Sequence, residues 1–577
     1  MNDLGGAKQR DSVGGALTTV APSKRWAICA LAGVLVASGL LYFENLGSPH
    51  ITVWDESVHA VVVQNLAHDC CVPRLHRVEG LGLDWTDWTS NTVWLHKPVL
   101  PFYASAASYA LFGHSLWAMR LPGAVAALLI VLMTGWLGNR YSSAWAGAIA
   151  AALVGLNPYT NELVHGRSFS GFPDLEMAFF LMVSLWAILQ WQRCRSSGLV
   201  FVFGAAVGMA YLCKGGLALA PLAAVLALVV FARGRRAWIV WLAAPLLVVA
   251  VALPVALYWL HRFPAEFRFE NREQLLHLTQ SIDEWGAPWY TYFAKYVPAL
   301  LTPSLTLVAY SALGWGLRGW RKKTPAFTLC LWILAYLIPL SFAVSKIENF
   351  IYPTLPAFAL LIGAMLDSLW RSQQSRAIVL FAGSTCAASL AGMVLWNSGH
   401  WFKWTLVSAV AIAALSVPLC LFLPVPSRRV TKATALVAVA SFVSLCVATE
   451  HRSNGVGDAP NETVLRASGL AMRGHVSQNA LVLAPGTWHE LGNLILMYWS
   501  GADVLDVCRV PDPAATLEKA LERQDVYLLV NAKLPLATAI ELPAGNLYDL
   551  SGQQPVDWRE VVEQDCKANR LRSSKTR

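Results

Sequence analysis

The sequence predicts a polytopic, all-α membrane protein of about 13 crossings that ends in a small α/β domain on the outer side. Three observations predict this. Apolar windows close to 20 residues long recur from residue 26 to residue 449, Lys and Arg gather in alternate connections, and beyond residue 450 the pattern changes to short strand-like runs. A helix needs roughly 20 apolar residues to cross a hydrocarbon layer about 30 Å thick. Only 14% of the 577 residues are charged. A soluble surface needs about a quarter, which excludes a large soluble protein built from buried core helices.

The windows fall at 26–44, 118–138, 142–158, 172–190, 198–213, 217–232, 237–259, 293–316, 325–343, 351–369, 376–397, 403–424 and 431–449. The first is too long for a signal-peptide core and lacks a clear cleavage site, so it is expected to be an anchor. The net charge of +9 does not point to nucleic acid, because the basic residues sit in short connections. Lys8, Arg10, Lys24 and Arg25 precede the first window. Arg140, Arg193 with Arg195, Arg233 with Arg235 and Arg236, Arg318 with Arg321 to Lys323, Arg371 with Arg376, and Arg428 with Arg429 and Lys432 mark every second turn thereafter. Under the positive-inside rule the N-terminus and these turns are cytoplasmic. The domain organisation is then a cytoplasmic tail 1–25, a membrane core 26–449 with a long first external loop 45–117, and an external domain 450–577.

In the last of these, the runs at 480–484, 503–507 and 526–530 read as strands alternating with helical segments near 489–499 and 514–523, an α/β pattern. The eleven cysteines show no metal-finger spacing and read mainly as small buried hydrophobes. Cys508 and Cys566 are either a disulfide in an oxidising compartment or two separate thiols.

Polar residues collect on the external side. The first loop begins Trp54-Asp55-Glu56-Ser57-Val58-His59, passes Asp84, Trp85, Asp87 and Trp88, and closes on His96-Lys97-Pro98. The apolar run 98–113 that follows is too short to cross and is expected to lie along the interface. His165, Arg167 and Asp174, then Lys214, then His261, Arg262, Arg268 and Arg272, then Lys346, Glu348 and Tyr352 fall on the same face. Each taken singly fits an interfacial anchor. Together, ionisable groups beside hydrocarbon mark a cavity or a partner, with acids for a nucleophile or a metal and Lys or Arg for phosphate.

The segments WDESVHA at 54–60, HKPVLPFYASAASYALFGHSLWAMRLPG at 96–123, FPDLEMAFF at 172–180, LCKGGLALAP at 212–221 and SKIENFIYPTLPAFALLIG at 345–363 resemble the polyprenyl-phosphate-dependent membrane glycosyltransferases of the GT-C superfamily. Within it they are similar to the protein O-mannosyltransferases (glycosyltransferase family 39) and to the aminoarabinose transferase that modifies lipid A. The resemblance implies a GT-C-like core with an outer-face cavity and a polyprenyl-phosphate sugar donor. It implies a lipid or protein acceptor, lipid A-like by slight preference. The orientation and the basic turns fit a bacterial inner membrane with the C-terminal domain in the periplasm, a charge pattern that an endoplasmic-reticulum membrane would share. By this resemblance Asp55 is the principal catalytic carboxylate and Asp174 a second acid, Lys97 and Lys214 contact donor phosphate, and Tyr352 binds donor or substrate. From their place on the same face, Glu56 is expected as a further acid and Arg268 and Lys346 as further donor or substrate contacts. The family has Glu where His96 stands, and a second Pro where Val99 stands; His96, with Asp55, leaves a divalent Zn, Mg or Mn ion open. The alternatives are a transporter or flippase of a lipid-linked or anionic substrate, a protein O-glycosyltransferase, and a non-enzymatic assembly protein. Transport predicts charges near mid-membrane, whereas the charges here gather at one edge.

Overall fold

A computed structural model of the chain describes residues 24–52, 55–167, 171–232, 235–281, 285–301, 303–322, 324–371, 460–485, 491–523, 525–531, 534, 539–551, 562, 564 and 566. The expected crossings at 376–397, 403–424 and 431–449 lie outside these residues. Helix α1 (Lys24–Phe43) is followed by two short helices of the first loop, α2 (Asp55–His68) and α3 (Leu100–Phe112). The core continues through α4 (Leu116–Tyr141), α5 (Ala144–Gly155), α6 (Pro158–Val164), α7 (Phe172–Cys194), α8 (Gly198–Lys214), α9 (Ala220–Ala232) and α10 (Arg235–Arg262). After them come α11 (Pro264–Leu276), α12 (Val297–Leu301), α13 (Pro303–Leu317), α14 (Pro325–Phe342) and α15 (Leu355–Arg371).

Among the described residues, seven helical stretches are long and apolar enough to cross a membrane. That is fewer than the windows predict, and the reasons are local. Window 142–158 is cut because Asn157 caps a new helix, its side chain accepting from the Thr160 N–H, with Pro158 in the first turn. Window 293–316 is broken into a π turn, α12 and α13, with Pro298 and Pro303 along it. Windows 198–213 and 217–232 correspond to α8 and α9, separated by a 3-10 turn, and make one apolar stretch, Gly198–Val230.

Lipid exposure is visible in burial. On α10, Leu242, Leu246, Val249, Leu253 and Leu257 all stand exposed at spacings of three and four, one face of a helix. In water such a stripe would cost about 25 cal/mol for each Å²; hydrocarbon removes that cost. The inward-facing residues of the bundle pack into one apolar core running from Tyr42 to Met365.

The tail adds α16 (Pro460–Met472), α17 (Gly492–Ser500), α18 (Pro513–Leu521) and five strands. These are β1 (Leu481–Ala484), β2 (Asp503–Asp506), β3 (Val526–Val530), β4 (Ala539–Leu542) and β5 (Gly545–Asp549), in the order β2-β1-β3-β5-β4. The first three are parallel and fully or nearly fully buried, the environment that the continuous apolar runs of β1 and β3 require. β5 pairs antiparallel with β3 and β4. Cys508 is disulfide-bonded to Cys566, and the adjacent Cys70 and Cys71 of the first loop are bonded to each other, a pairing the sequence reading did not anticipate.

The tail and the first loop share a hydrophobic core: Ile51, Val58, Val62, Phe102 and Tyr109 cluster with Leu465, Leu494, Leu496 and Val504. A buried polar clamp accompanies it. Asp503 accepts from the backbone N–H groups of Arg77 at 2.8 Å and Val78 at 2.9 Å and meets His76 Nδ1 at 2.6 Å. Burial pushes the Asp503 carboxyl up, but His76, the Val78 N–H and Arg77 more than offset this and hold it below its ordinary value. A carboxylate with a depressed folded value contributes stability that is present above its unfolded value, about 3.9, and lost as pH falls through the folded one. Docking of the tail is therefore expected to persist at neutral pH and loosen only below about pH 4. Hydrogen exchange of the β2 amides at pH 6 and pH 3 checks this. Equal protection at both values, or a pH step that survives in Asp503→Asn, would contradict it.

Candidate active site

Asp55 is the first residue of α2, where the helix dipole favours a carboxylate. Its Oδ2 accepts from Lys97 Nζ at 2.6 Å, which joins the two ends of the first loop. Lys97 Nζ also lies 3.2 Å from His59 Nε2, one turn along α2. An ammonium only donates, so His59 Nε2 accepts and the imidazole is neutral with its proton on Nδ1. Its surroundings agree, since the ring sits edge-on to Trp94, Phe102 and Phe172. Burial, then the charge of Lys97, push the His59 imidazole well below its ordinary value. For Asp55, burial acts upward, but the charges of Lys97 and Lys214 hold the carboxyl below its ordinary value, so it is ionised at neutral pH.

A second pair stands beside the first. Asp174, in the first turn of α7 and fully buried, accepts from Lys214 Nζ and, at 3.2 Å, from Asn349 Nδ2. Lys214 ends α8, where a cation suits the dipole, and Gly215 after it has φ +65°, a left-handed turn that favours glycine. A Cβ on Gly215 would come within 3.9 Å of Pro98, so this turn abuts the His96-Lys97-Pro98 segment. Two carboxylates and two lysines thus meet where the first loop crosses the ends of α7 and α8.

The other expected residues occupy different surroundings. Glu56 is buried and turned into the structure: Oε1 accepts from Arg120 Nε at 2.8 Å and Oε2 from the Thr52 N–H at 2.8 Å. A Cβ at Gly166, where φ is +68°, would fall 1.9 Å from Glu56 Oε1, so only glycine fits beside that carboxylate. Lys346 is buried with Nζ donating to the Ala343 carbonyl, and the buried Tyr352 hydroxyl donates to Thr160 Oγ1 at 3.3 Å. Arg268 is exposed on α11.

The acid beside His96 is Glu270, whose Oε2 lies 2.9 Å from His96 Nδ1, and not Asp55, which Lys97 engages. Among the described residues no group of three His, Cys, Asp or Glu side chains gathers as a metal cluster. Glu270 Oε1 is nonetheless buried without a hydrogen-bond partner among them, and His96 is stacked on Trp88. A divalent ion fits these two donors if substrate and water oxygens complete its shell.

His59 and Asn349 belong to the site and were not singled out from sequence. His59 sits inside the WDESVHA segment and Asn349 inside SKIENF, but a lone His on an apolar helix and an Asn in a loop carry no chemistry until their neighbours are known.

Residues 96–259 match the protein family described as dolichyl-phosphate-mannose-protein mannosyltransferase. Among curated proteins, the chain is 28% identical over 360 residues to an undecaprenyl phosphate-alpha-4-amino-4-deoxy-L-arabinose arabinosyl transferase of Pseudomonas aeruginosa, covering 60% of this chain and 61% of that one. A second enzyme of the same description, from Pseudomonas fluorescens, is 27% identical over 390 residues, 65% of this chain and 62% of that one. The chain thus spans about three fifths of the length of the curated relatives it matches. Among solved structures, ArnT from Cupriavidus metallidurans bound to undecaprenyl phosphate superposes with a TM-score of 0.65 at 18% identity, over 92% of this chain and all of that one, a likeness of fold.

Proposed function

We propose, from the place of this chain in the GT-C superfamily beside the arabinosyl transferases and protein mannosyltransferases, that it transfers a sugar from an undecaprenyl-phosphate-linked donor to an acceptor at the outer face of a bacterial inner membrane. The observation that carries the reading is the paired arrangement of Asp55 with Lys97 and Asp174 with Lys214 where the first loop meets the ends of α7 and α8. In this reading residues 1–25 lie in the cytoplasm, 26–449 form the membrane core and 450–577 lie in the periplasm. A lipid A-like acceptor is preferred over protein because the motifs resemble the aminoarabinose transferase that modifies lipid A, and the curated relatives named above are arabinosyl transferases with an aminoarabinose donor.

The reaction is a single displacement at the anomeric carbon. The bond from that carbon to the donor phosphate oxygen breaks, the electron pair leaves with polyprenyl phosphate, and an acceptor oxygen forms the new bond. Lys97 and Lys214 offset the charge on the departing phosphate, which is effective in a dry, preorganised pocket. Asp55, exchanging its Lys97 contact for substrate, takes the proton of an acceptor hydroxyl; for a phosphate acceptor it positions the oxygen and removes no proton. His59 holds Lys97 in place, and Asn349 holds Asp174. His96 and Glu270 would hold a divalent ion, which when bound would add positive charge beside the donor phosphate. Attack from the face opposite the leaving group inverts the sugar, and a product of retained configuration would sink the single-displacement step.

The test uses purified protein in nanodiscs with labelled undecaprenyl-phosphate sugars, offered lipid A and, separately, acceptor peptides. Label in lipid A with one polyprenyl phosphate released per sugar supports the proposal as stated. Label in peptide alone moves the acceptor to protein, and label that crosses a liposome bilayer without transfer to either acceptor favours a transporter.

A further inference from the structure

The tail domain reaches the catalytic carboxylate through one side chain. Glu462, in the first turn of α16, is buried at 3% exposure, and both of its oxygens go to the first loop. Oε1 accepts from the Ile51 N–H at 2.7 Å and Oε2 meets His50 Nδ1 at 2.5 Å. These two residues stand four and five positions before Asp55. The same short segment is gathered from the other side by Arg120, which donates to the carbonyls of Leu46 at 3.0 Å, Ser48 at 3.0 Å and His50 at 2.6 Å. The remaining Arg120 contact is Glu56 Oε1, and Glu56 in turn accepts from the Thr52 N–H. The chain of contacts therefore runs from Glu462 to His50 and Ile51, to Arg120, to Glu56, and so to the first residue of α2.

We propose that Glu462 is a positioning residue for sugar transfer, fixing residues 50–52 so that α2 presents Asp55 at the angle that the Lys97 and Lys214 pocket requires. Two features separate this from ordinary domain packing. The first is that a large apolar core already joins tail to loop, so cohesion does not need Glu462. The second is that a buried carboxylate engaging an N–H and an imidazole of one tripeptide sets where that tripeptide lies, which apolar contact leaves freer. Positional errors near 1 Å at a reacting group cost about 100-fold in rate. The inference rests on Asp55 being the base, so Asp55→Asn is run alongside.

The measurement is steady-state transfer by the full chain in nanodiscs, with a thermal melt of each variant. Glu462→Ala is expected to lower kcat by about 10- to 100-fold while the donor KM stays within about twofold, since no donor contact is lost. Glu462→Gln keeps an acceptor for the Ile51 N–H and is expected to recover kcat to within about threefold of native. Leu470→Ala, an exposed position on the same helix, is expected to behave as native. If Glu462→Ala is not recovered folded, Glu462→Asp replaces it; one methylene shorter, it is expected to lose about tenfold in kcat with an unchanged melt. A kcat within twofold of native for Glu462→Ala or Glu462→Asp overturns the proposal. So does a loss that Gln fails to rescue and that follows the melting temperature. Should Asp55→Asn transfer at the native rate, the reading of the site fails first, a result distinct from failure at Glu462 alone.

Discussion

Replacing Asp55 with Asn is expected to reduce kcat for sugar transfer by about 10²- to 10⁴-fold, the range over which a positioned general base acts. The substitution keeps the shape of the side chain and a partner for Lys97, so the melting temperature should change little. Donor affinity should be retained or slightly improved, because Lys97 loses its competing carboxylate and turns more readily to phosphate. The diagnostic pattern is thus a large fall in kcat with a folded protein that still binds donor, measured by initial rates and by equilibrium binding of undecaprenyl phosphate. Native turnover in Asp55→Asn would remove Asp55 from the chemistry. A fall confined to KM would move it to a binding role.

The second large effect is expected at Lys214. Lys214→Met leaves the fully buried Asp174 with Asn349 as its remaining hydrogen-bond partner among the described residues, and breaking a buried ion pair by removing one member costs about 3–5 kcal/mol. The variant should therefore melt well below native and be recovered poorly. Adding Asp174→Asn removes the stranded charge, and the double variant should regain most of the lost stability. It should not regain activity, because the phosphate still lacks its cation; loss of one preorganised charge-stabilising donor costs about 10²–10³ in kcat. Melting curves for the two single variants and the double, beside their transfer rates, check both halves. Activity that returned together with stability would assign the pair a purely structural role.

The features that could be read from sequence are the ones whose signal is local. The first apolar window became α1, and the runs 480–484, 503–507 and 526–530 became β1, β2 and β3 within one residue at either end. For α1, β1 and β3 this follows from apolar stretches of the right length; β2 is shorter in apolar content, with Val504 and Leu505 between two acids. Strands β4 and β5 went unseen because AIEL carries a charge and GNLYD starts on glycine and ends on an acid, so neither shows a sustained apolar run. The count of crossings was the weak point. A hydropathy window does not register that Asn157-Pro158 starts a new helix or that prolines fall inside 293–316.

The site was legible as a set of residue types on one face, and illegible as partnerships. Motif resemblance brought Asp55, Lys97, Asp174 and Lys214 forward, but which lysine meets which acid depends on contacts across 42 and 40 positions. Glu56 sits next to Asp55 in sequence and yet is directed to Arg120, because successive residues on a helix point about 100° apart. His96 was weighed with Asp55, whereas folding brings Glu270 to it from 174 positions away. Glu462, 411 positions from Ile51, carries no sequence signal of its role.

The most direct test of the central claim is a single-turnover reaction. Native protein is mixed in nanodiscs with a stoichiometric, doubly labelled undecaprenyl-phosphate sugar and excess acceptor lipid, and sugar label and lipid label are followed together. Sugar label is expected to move to the acceptor at the rate at which undecaprenyl phosphate appears, one for one, and both processes are expected to stop in Asp55→Asn. Release of undecaprenyl phosphate without sugar on the acceptor, or intact donor after many expected turnover times with several sugars and both acceptor classes tried, would contradict that claim.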